Sequence, residues 1–127
     1  MPFLPKSAHT HEAVAQGVNT WINWPGEGLF GARATIKPGM GHDFHYHPGR
    51  EELIYVLAGE VEQWIGEEKR VLEPGDAVVI PADVVHASFN FGGAEAVIFV
   101  VLTEAQGEQP LGVDVAQDEP WRSLRGQ

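Results

Sequence analysis

Four residues with the chemistry of metal ligands fall in two short stretches of the chain. His45, His47 and Glu52 lie in GMGHDFHYHPGREELIYVLAG, which begins at Gly39, and His86 lies in GDAVVIPADVVHASFN, which begins at Gly75. Alternate residues of a strand share a face, so His45 and His47 point to one side, and after a short loop Glu52, Ile54 and Val56 line a neighbouring strand. Imidazole and carboxylate are borderline-to-hard donors. Three His and one Glu leave open positions on six-coordinate iron, manganese, nickel or cobalt, or a fifth position on zinc, and an open position is where substrate or water binds. Buried together inside a barrel without a cation, the same four groups would be costly. Glu51 is one residue off this spacing and is expected on the opposite face of its strand.

Glu52 has a second possible role, because a carboxylate beside a cation exchanges duties more easily than an imidazole and can act as a catalytic base. Three further residues are candidates for the substrate pocket. His42 lies three positions before the first ligand, Gln63 shares the parity of Val61 and Ile65, and Arg33 alternates with Ala32 and Ala34. A pocket glutamine would offer neutral hydrogen bonds, and an inward arginine would clamp a carboxylate. His9 and His11 repeat the H-x-H spacing in the amino-terminal arm without a carboxylate partner and read as solvated. Trp21, Trp24 and Trp64 fall on or beside strands that can border the cavity, although packing is the commoner duty of a large ring. Ser7, Ser88 and Ser123 lack the context of a nucleophile elbow. There is no G-x-G-x-x-G and no Walker loop, so dinucleotide and nucleoside triphosphate sites are not supported.

The elements that must hold these groups read as strands. Pro25-Gly26, Pro38-Gly39, Pro48-Gly49 and Pro74-Gly75 mark turns, with Pro setting φ at one position and Gly accepting positive φ at the next. Between the turns, residues 28–36, 40–47, 52–58, 61–65, 77–80, 85–91 and 96–102 are rich in β-branched and aromatic side chains. No stretch sustains a helical period. Short strands at regular spacing imply an all-β domain, and a jelly-roll barrel satisfies the pattern. The chain of 127 residues suits one domain, with a barrel over about 17–103, an amino-terminal arm 1–12 and a carboxy-terminal arm 104–127. Trp121 or Leu111 in the second arm is expected to pack over the barrel or to reach a second subunit.

Composition narrows the partners. The chain has no Cys, which removes disulfides, thiolate metal sites and cysteine nucleophiles and is compatible with a cytoplasmic protein. The start MPFLPKSAHT does not read as a secretory signal. The longest apolar run covers 96–102, against the roughly 20 residues that a membrane helix needs, so no membrane partner is expected. Eighteen acidic and eight basic residues give a net charge of −10, which repels nucleic acid.

Taken with their spacing, these residues resemble the two signature motifs of the cupins, a family of small double-stranded β-helix (jelly-roll) proteins. G-x5-H-x-H-x3,4-E-x6-G is met by Gly39, His45, His47, Glu52 and Gly59. G-x5-P-x-G-x2-H-x3-N is met by Gly75, Pro81, His86 and Asn90, with Asp83 where the family has its second Gly. Asp tolerates left-handed geometry, so this departure is expected to leave His86 in place. The resemblance implies that His45, His47, Glu52 and His86 ligate one divalent metal and that Asn90 lies near the site. The family spans dioxygenases, decarboxylases, isomerases, lyases, sugar-binding modules and storage proteins, so fold and metal do not fix a reaction. The expectation is a metalloenzyme acting on a small organic molecule. Dioxygenase-like chemistry comes first and isomerase, lyase or decarboxylase chemistry second. The alternative is a non-catalytic module that binds metal and a small molecule such as a sugar. A homodimer is expected because small barrels hide sheet edges by pairing.

Overall fold

The computed structural model describes residues 3–23 and 28–125, so Trp24 and the Pro25-Gly26 turn lie outside the described residues. Among the described residues, eleven strands follow in chain order: β1 (Thr10–Val14), β2 (Gly17–Trp21), β3 (Leu29–Ile36), β4 (Gly41–Tyr46), β5 (Glu52–Ala58), β6 (Val61–Ile65), β7 (Glu68–Leu72), β8 (Ala77–Ile80), β9 (His86–Phe89), β10 (Ala96–Thr103) and β11 (Val113–Asp114). A short helix, α1 (Trp121–Leu124), comes last. They form two antiparallel sheets, one ordered β1-β2-β3-β10-β5-β8 and the other β11-β4-β9-β6-β7. From β3 onward the chain passes repeatedly from one sheet to the other. That winding is the double-stranded β-helix, and the all-β expectation holds.

Strand parity builds the interior. Along β5, Glu52, Ile54 and Val56 are buried while Leu53, Tyr55 and Leu57 are exposed, the alternation of a sheet with one wet face. Ile36, Ile54, Val56, Val61, Ile80 and Ile98 pack as one apolar cluster. Phe44, Trp64, Ala87, Phe89 and Ala116 form a second cluster around β4, β9 and β6. The described Pro-Gly pairs put their glycines at positive φ: 80° at Gly39, 67° at Gly49 and 96° at Gly75.

The amino-terminal arm departs from expectation. Residues Thr10–Val14 pair with β2 along their full length and extend the larger sheet. Val113 and Asp114 pair with Tyr46 and His45 on β4, Trp121 packs 5.3 Å from the Phe44 ring, and Arg125 makes a 3.0 Å ion pair with Asp43. The carboxy-terminal segment therefore lies over the smaller sheet, as the packing expectation had it.

Candidate metal centre

Two strands and one turn bring the histidines together. His45 on β4 stands opposite His86 on β9 in the sheet register, and His47 follows the end of β4. Their ring centroids are 4.2 Å apart for His45 and His86, 5.0 Å for His45 and His47, and 5.1 Å for His47 and His86. All three are buried, and one ring nitrogen from each can be chosen so that the set lies within 4.8 Å of one another. These three histidines can hold a metal ion.

Backbone carbonyls fix which nitrogen faces inward. Nδ1 of His45 lies 2.6 Å from the Asp43 carbonyl, Nδ1 of His47 2.6 Å from that of Leu111, and Nδ1 of His86 3.0 Å from that of Val84. A carbonyl only accepts, so each Nδ1 carries the hydrogen and donates, and each Nε2 is left with a lone pair. This is the arrangement that orients imidazoles towards a cation. Glu52 opens β5 from the other sheet, with Oε1 2.9 Å from Nε2 of His86 and 3.4 Å from Nε2 of His47. These contacts lack hydrogen-bond geometry, and His47 Nε2, His86 Nε2 and Glu52 Oε1 are buried without a hydrogen-bond partner. Buried lone pairs converging on one another are unfavourable unless a proton or cation is shared between them. The donor set therefore fits a metal.

The electrostatics agree. Burial, reinforced by His42 and His86, holds His45 well below the ordinary imidazole range and so neutral. Burial opposes charge on Glu52, yet the His47 and His86 imidazoles outweigh it and bring the carboxyl down to about 2. Burial likewise opposes a proton on His47, but its contact with Glu52 prevails and raises its pKa. His47 must lose that proton to ligate a cation. Metal affinity is therefore expected to fall as pH drops through the raised pKa of His47, with proton release on uptake at pH 6. Calorimetry in buffers of different ionisation enthalpy reads this directly, and identical heats across the buffers would refute it.

His42 joins the site through a backbone irregularity. The β4–β9 register shifts between His42 and His45. Such a bulge turns residues three apart, which in a regular strand face opposite ways, onto the same side. The two rings stack 3.5 Å apart at 11°. His42 reaches solvent at the cavity mouth, and burial against the site pulls its pKa down to about 4.

Asp83 has φ of 68° and adds a contact that glycine would not. Its Oδ1 accepts from the Gly49 amide at 3.0 Å, and its own amide donates to the His47 carbonyl at 3.3 Å. The turn before His86 is thereby tied to the turn after His47. Asn90 is fully buried, donating from Nδ2 to the Ile36 and Ala94 carbonyls and accepting from the Gly92 amide. Its hydrogen bonds are structural.

The histidines floor a cavity of about 190 Å³. Ala32, Ala34, Ile54, Ile98 and Val100 supply apolar wall, and Glu12, Gln16, Asn19 and Trp21 also line it. A surface hollow of about 480 Å³, bounded by Gln16, Leu111 and Asp114 among others, reaches His42, His45 and His47 from outside. Two pocket expectations are corrected. Arg33 is exposed because Ala32 and Ala34 take the inward parity, leaving Arg33 on the outer face. Gln63 is buried but does not line the cavity; it bonds to Ser88, which does. Sequence reasoning also missed Ser88, Glu12 and Leu111. The signal for Ser88 was its parity with His86 two residues earlier, whereas Glu12 and Leu111 sit in segments read as arms. Of the tryptophans, Trp21 lines the cavity and Trp64 is core.

Comparison with known proteins supplies the family. A cupin-domain family model matches residues 32–102, more than half of the chain. Protein SchB of Streptomyces halstedii is 40% identical over 63 residues, covering 50% of this chain and 46% of its own. Oxalate oxidase 1 of Hordeum vulgare is 30% identical over 115 residues, covering 72% of this chain and 57% of its own. The chain thus spans about half the length of these curated relatives. In three dimensions, KdgF from Halomonas sp. superposes with a TM-score of 0.72 at 22% identity, covering 80% of this chain and 94% of that one, which speaks to the fold. The converging histidines, the two facing sheets and the matched segment agree: the chain belongs to the cupin family.

Proposed function

We propose that this chain is a metalloenzyme that holds one divalent first-row ion on His45, His47, Glu52 and His86 and acts on a small organic molecule in the adjoining cavity, with dioxygen chemistry on iron as the first choice. The observation that carries this reading is the trio of buried, unpartnered donor atoms on His47, Glu52 and His86. When bound, such an ion supplies Lewis acidity and, as iron, electrons for dioxygen. The chain's own residues do the remaining work. The three imidazoles, braced by the carbonyls of Asp43, Leu111 and Val84, hold a fixed geometry. Glu52, held anionic by His47 and His86, would be the group that takes a proton from the substrate. The apolar wall excludes water. The oxidase activity named for the barley relative supports the lean to dioxygen, as does the open position that four protein ligands leave on iron.

Metal analysis of anaerobically purified protein, followed by oxygen uptake on diketones, catechols and hydroxy acids, tests the proposal. Stoichiometric metal with iron-dependent uptake is the expected result. Stoichiometric metal with ligand-induced melting shifts but no turnover, under air or nitrogen, would overturn it in favour of a binding module.

A homodimer is part of this reading. The outward face of β5 and β8 exposes Leu53, Tyr55, Leu57 and Val79, with Leu53 opposite Val79 and Val101, and Phe99 opposite Tyr55. Contiguous apolar surface of this kind is uncommon on monomers. On a chain of net charge −10, an uncharged patch is where a second copy can approach without repulsion. Arg33 and Glu51 stand at its margins, opposite charges that a two-fold axis can bring together. Leu57→Lys is expected to shift a dimer to monomer in sedimentation velocity without loss of metal. A wild-type monomer would refute the pairing.

A further inference from the structure

We infer that the cavity selects a small chelating diol or enol without carboxylates that carries one further hydroxyl, and that Ser88 reads that hydroxyl by accepting its hydrogen bond. The inference rests on the metal reading above and deepens it.

The first support is the direction of one buried hydrogen bond. Gln63 Nε2 donates to the Trp64 carbonyl at 3.1 Å, and a carbonyl cannot donate in return. The amide orientation is thereby fixed, with Oε1 turned towards Ser88. Ser88 Oγ lies 2.6 Å from that oxygen, so the serine hydrogen is committed to Gln63. Ser88 is 5% exposed and Gln63 3%, so water does not loosen the pair. A serine normally donates or accepts as its ligand requires; this one offers the cavity only lone pairs. Ser88 shares the face of His86 on β9, two residues away and so about 7 Å along the strand. That offset suits a ring that coordinates at one edge and presents a hydroxyl at the next position.

The second support is charge. No Lys or Arg lines the cavity among the described residues, and the residues outside that set include neither. Arg50 donates to the Thr103 carbonyl and the Glu104 carboxylate and stacks on Phe30, away from the lining. Glu12 and Glu52 are acidic. A divalent ion beside Glu52 retains one net positive charge, which a dianion would over-compensate with no cationic side chain to receive it. Dicarboxylates, dianionic at neutral pH, are therefore disfavoured, and a chelating diol or enol bound as its monoanion, with one further hydroxyl, is favoured.

Cobalt(II)-loaded full-length protein, held under nitrogen, tests this with pyrogallol, 3-methoxycatechol and oxalate, followed by cobalt absorption bands. Pyrogallol and 3-methoxycatechol share the chelating pair and differ in whether the third oxygen carries hydrogen. Wild type is expected to favour pyrogallol over 3-methoxycatechol by about tenfold, the scale of one buried hydrogen bond, and to bind oxalate more weakly than pyrogallol. Ser88→Ala should keep one cobalt per chain and close the gap to within about twofold. A gap caused only by the bulk of the methyl group would survive that change and overturn the inference. Gln63→Leu should also narrow the gap, from the other side, by freeing the Ser88 hydrogen to meet the methoxy oxygen. Tighter oxalate than pyrogallol would overturn the inference while leaving the metal reading intact, whereas a chain that takes up no cobalt would overturn both.

Discussion

Replacing His47 by Ala is expected to weaken metal binding by more than about 100-fold and to remove any turnover with it, since partners that merely orient a ligand are worth roughly 10- to 100-fold. His47 is the most exacting choice because each of its ring nitrogens has a distinct duty. Nδ1 meets the Leu111 carbonyl at 2.6 Å, and Nε2 is buried beside Glu52 with no hydrogen-bond partner. Alanine deletes the donor and frees the carboxy-terminal segment from one tether. The metal-free variant should melt below metal-free wild type, because Glu52 loses one of the two imidazoles that hold its buried carboxylate charged and the Leu111 tether is lost as well. Inductively coupled plasma analysis with a competitive chelator titration measures the affinity, and a melt of both apo proteins checks the fold. Activity that survived loss of the metal would sink the mechanism.

Much of this centre was legible because its requirements are local. Period-two alternation placed His45 with His47 and Glu52 with Ile54, and the strands containing them fall where β-branched runs end at Pro-Gly turns. The strands 52–58, 61–65 and 77–80 were read with the limits that the structure gives them. What escaped shares a physical reason. β7 (Glu68–Leu72) and β1 (Thr10–Val14) are edge strands whose residues are almost all exposed. An edge need not alternate apolar and polar, and charge there protects against further pairing. β11 joins the edge of the smaller sheet and α1 covers it, and both depend on residues of β4, far away in sequence. His42 reached the cavity through a bulge, which no alternation rule anticipates. Arg33 shows the opposite case, where parity alone was sufficient to send it outward once Ala32 and Ala34 were known to face in.

Phe44→Ala is expected to cost about 3–5 kcal/mol of stability, the range for deleting a fully buried aromatic side chain. It should also reduce metal affinity by about tenfold without touching a ligand. Phe44 is 0% exposed, with the rings of Trp64, Phe89 and Trp121 at centroid distances of 5.5, 6.0 and 5.3 Å. Those rings come from β6, β9 and α1, so one side chain ties the strand that carries His45 to the helix packed on the sheet's other face. Its carbonyl accepts from the Val115 amide at 3.0 Å. Its neighbours are Asp43, which is ion-paired to Arg125 and whose carbonyl orients His45, and His45 itself. Collapse of this cluster would let α1 and the preceding strand drift, carrying Leu111 and its hold on His47. Urea unfolding of apo protein reads the first effect, and chelator competition on the loaded protein reads the second. Phe44→Leu should recover most of both, because it refills the volume without restoring the edge-to-face contacts. A large loss of stability with unchanged metal affinity would show that the carboxy-terminal segment packs on the barrel but does not orient its histidines.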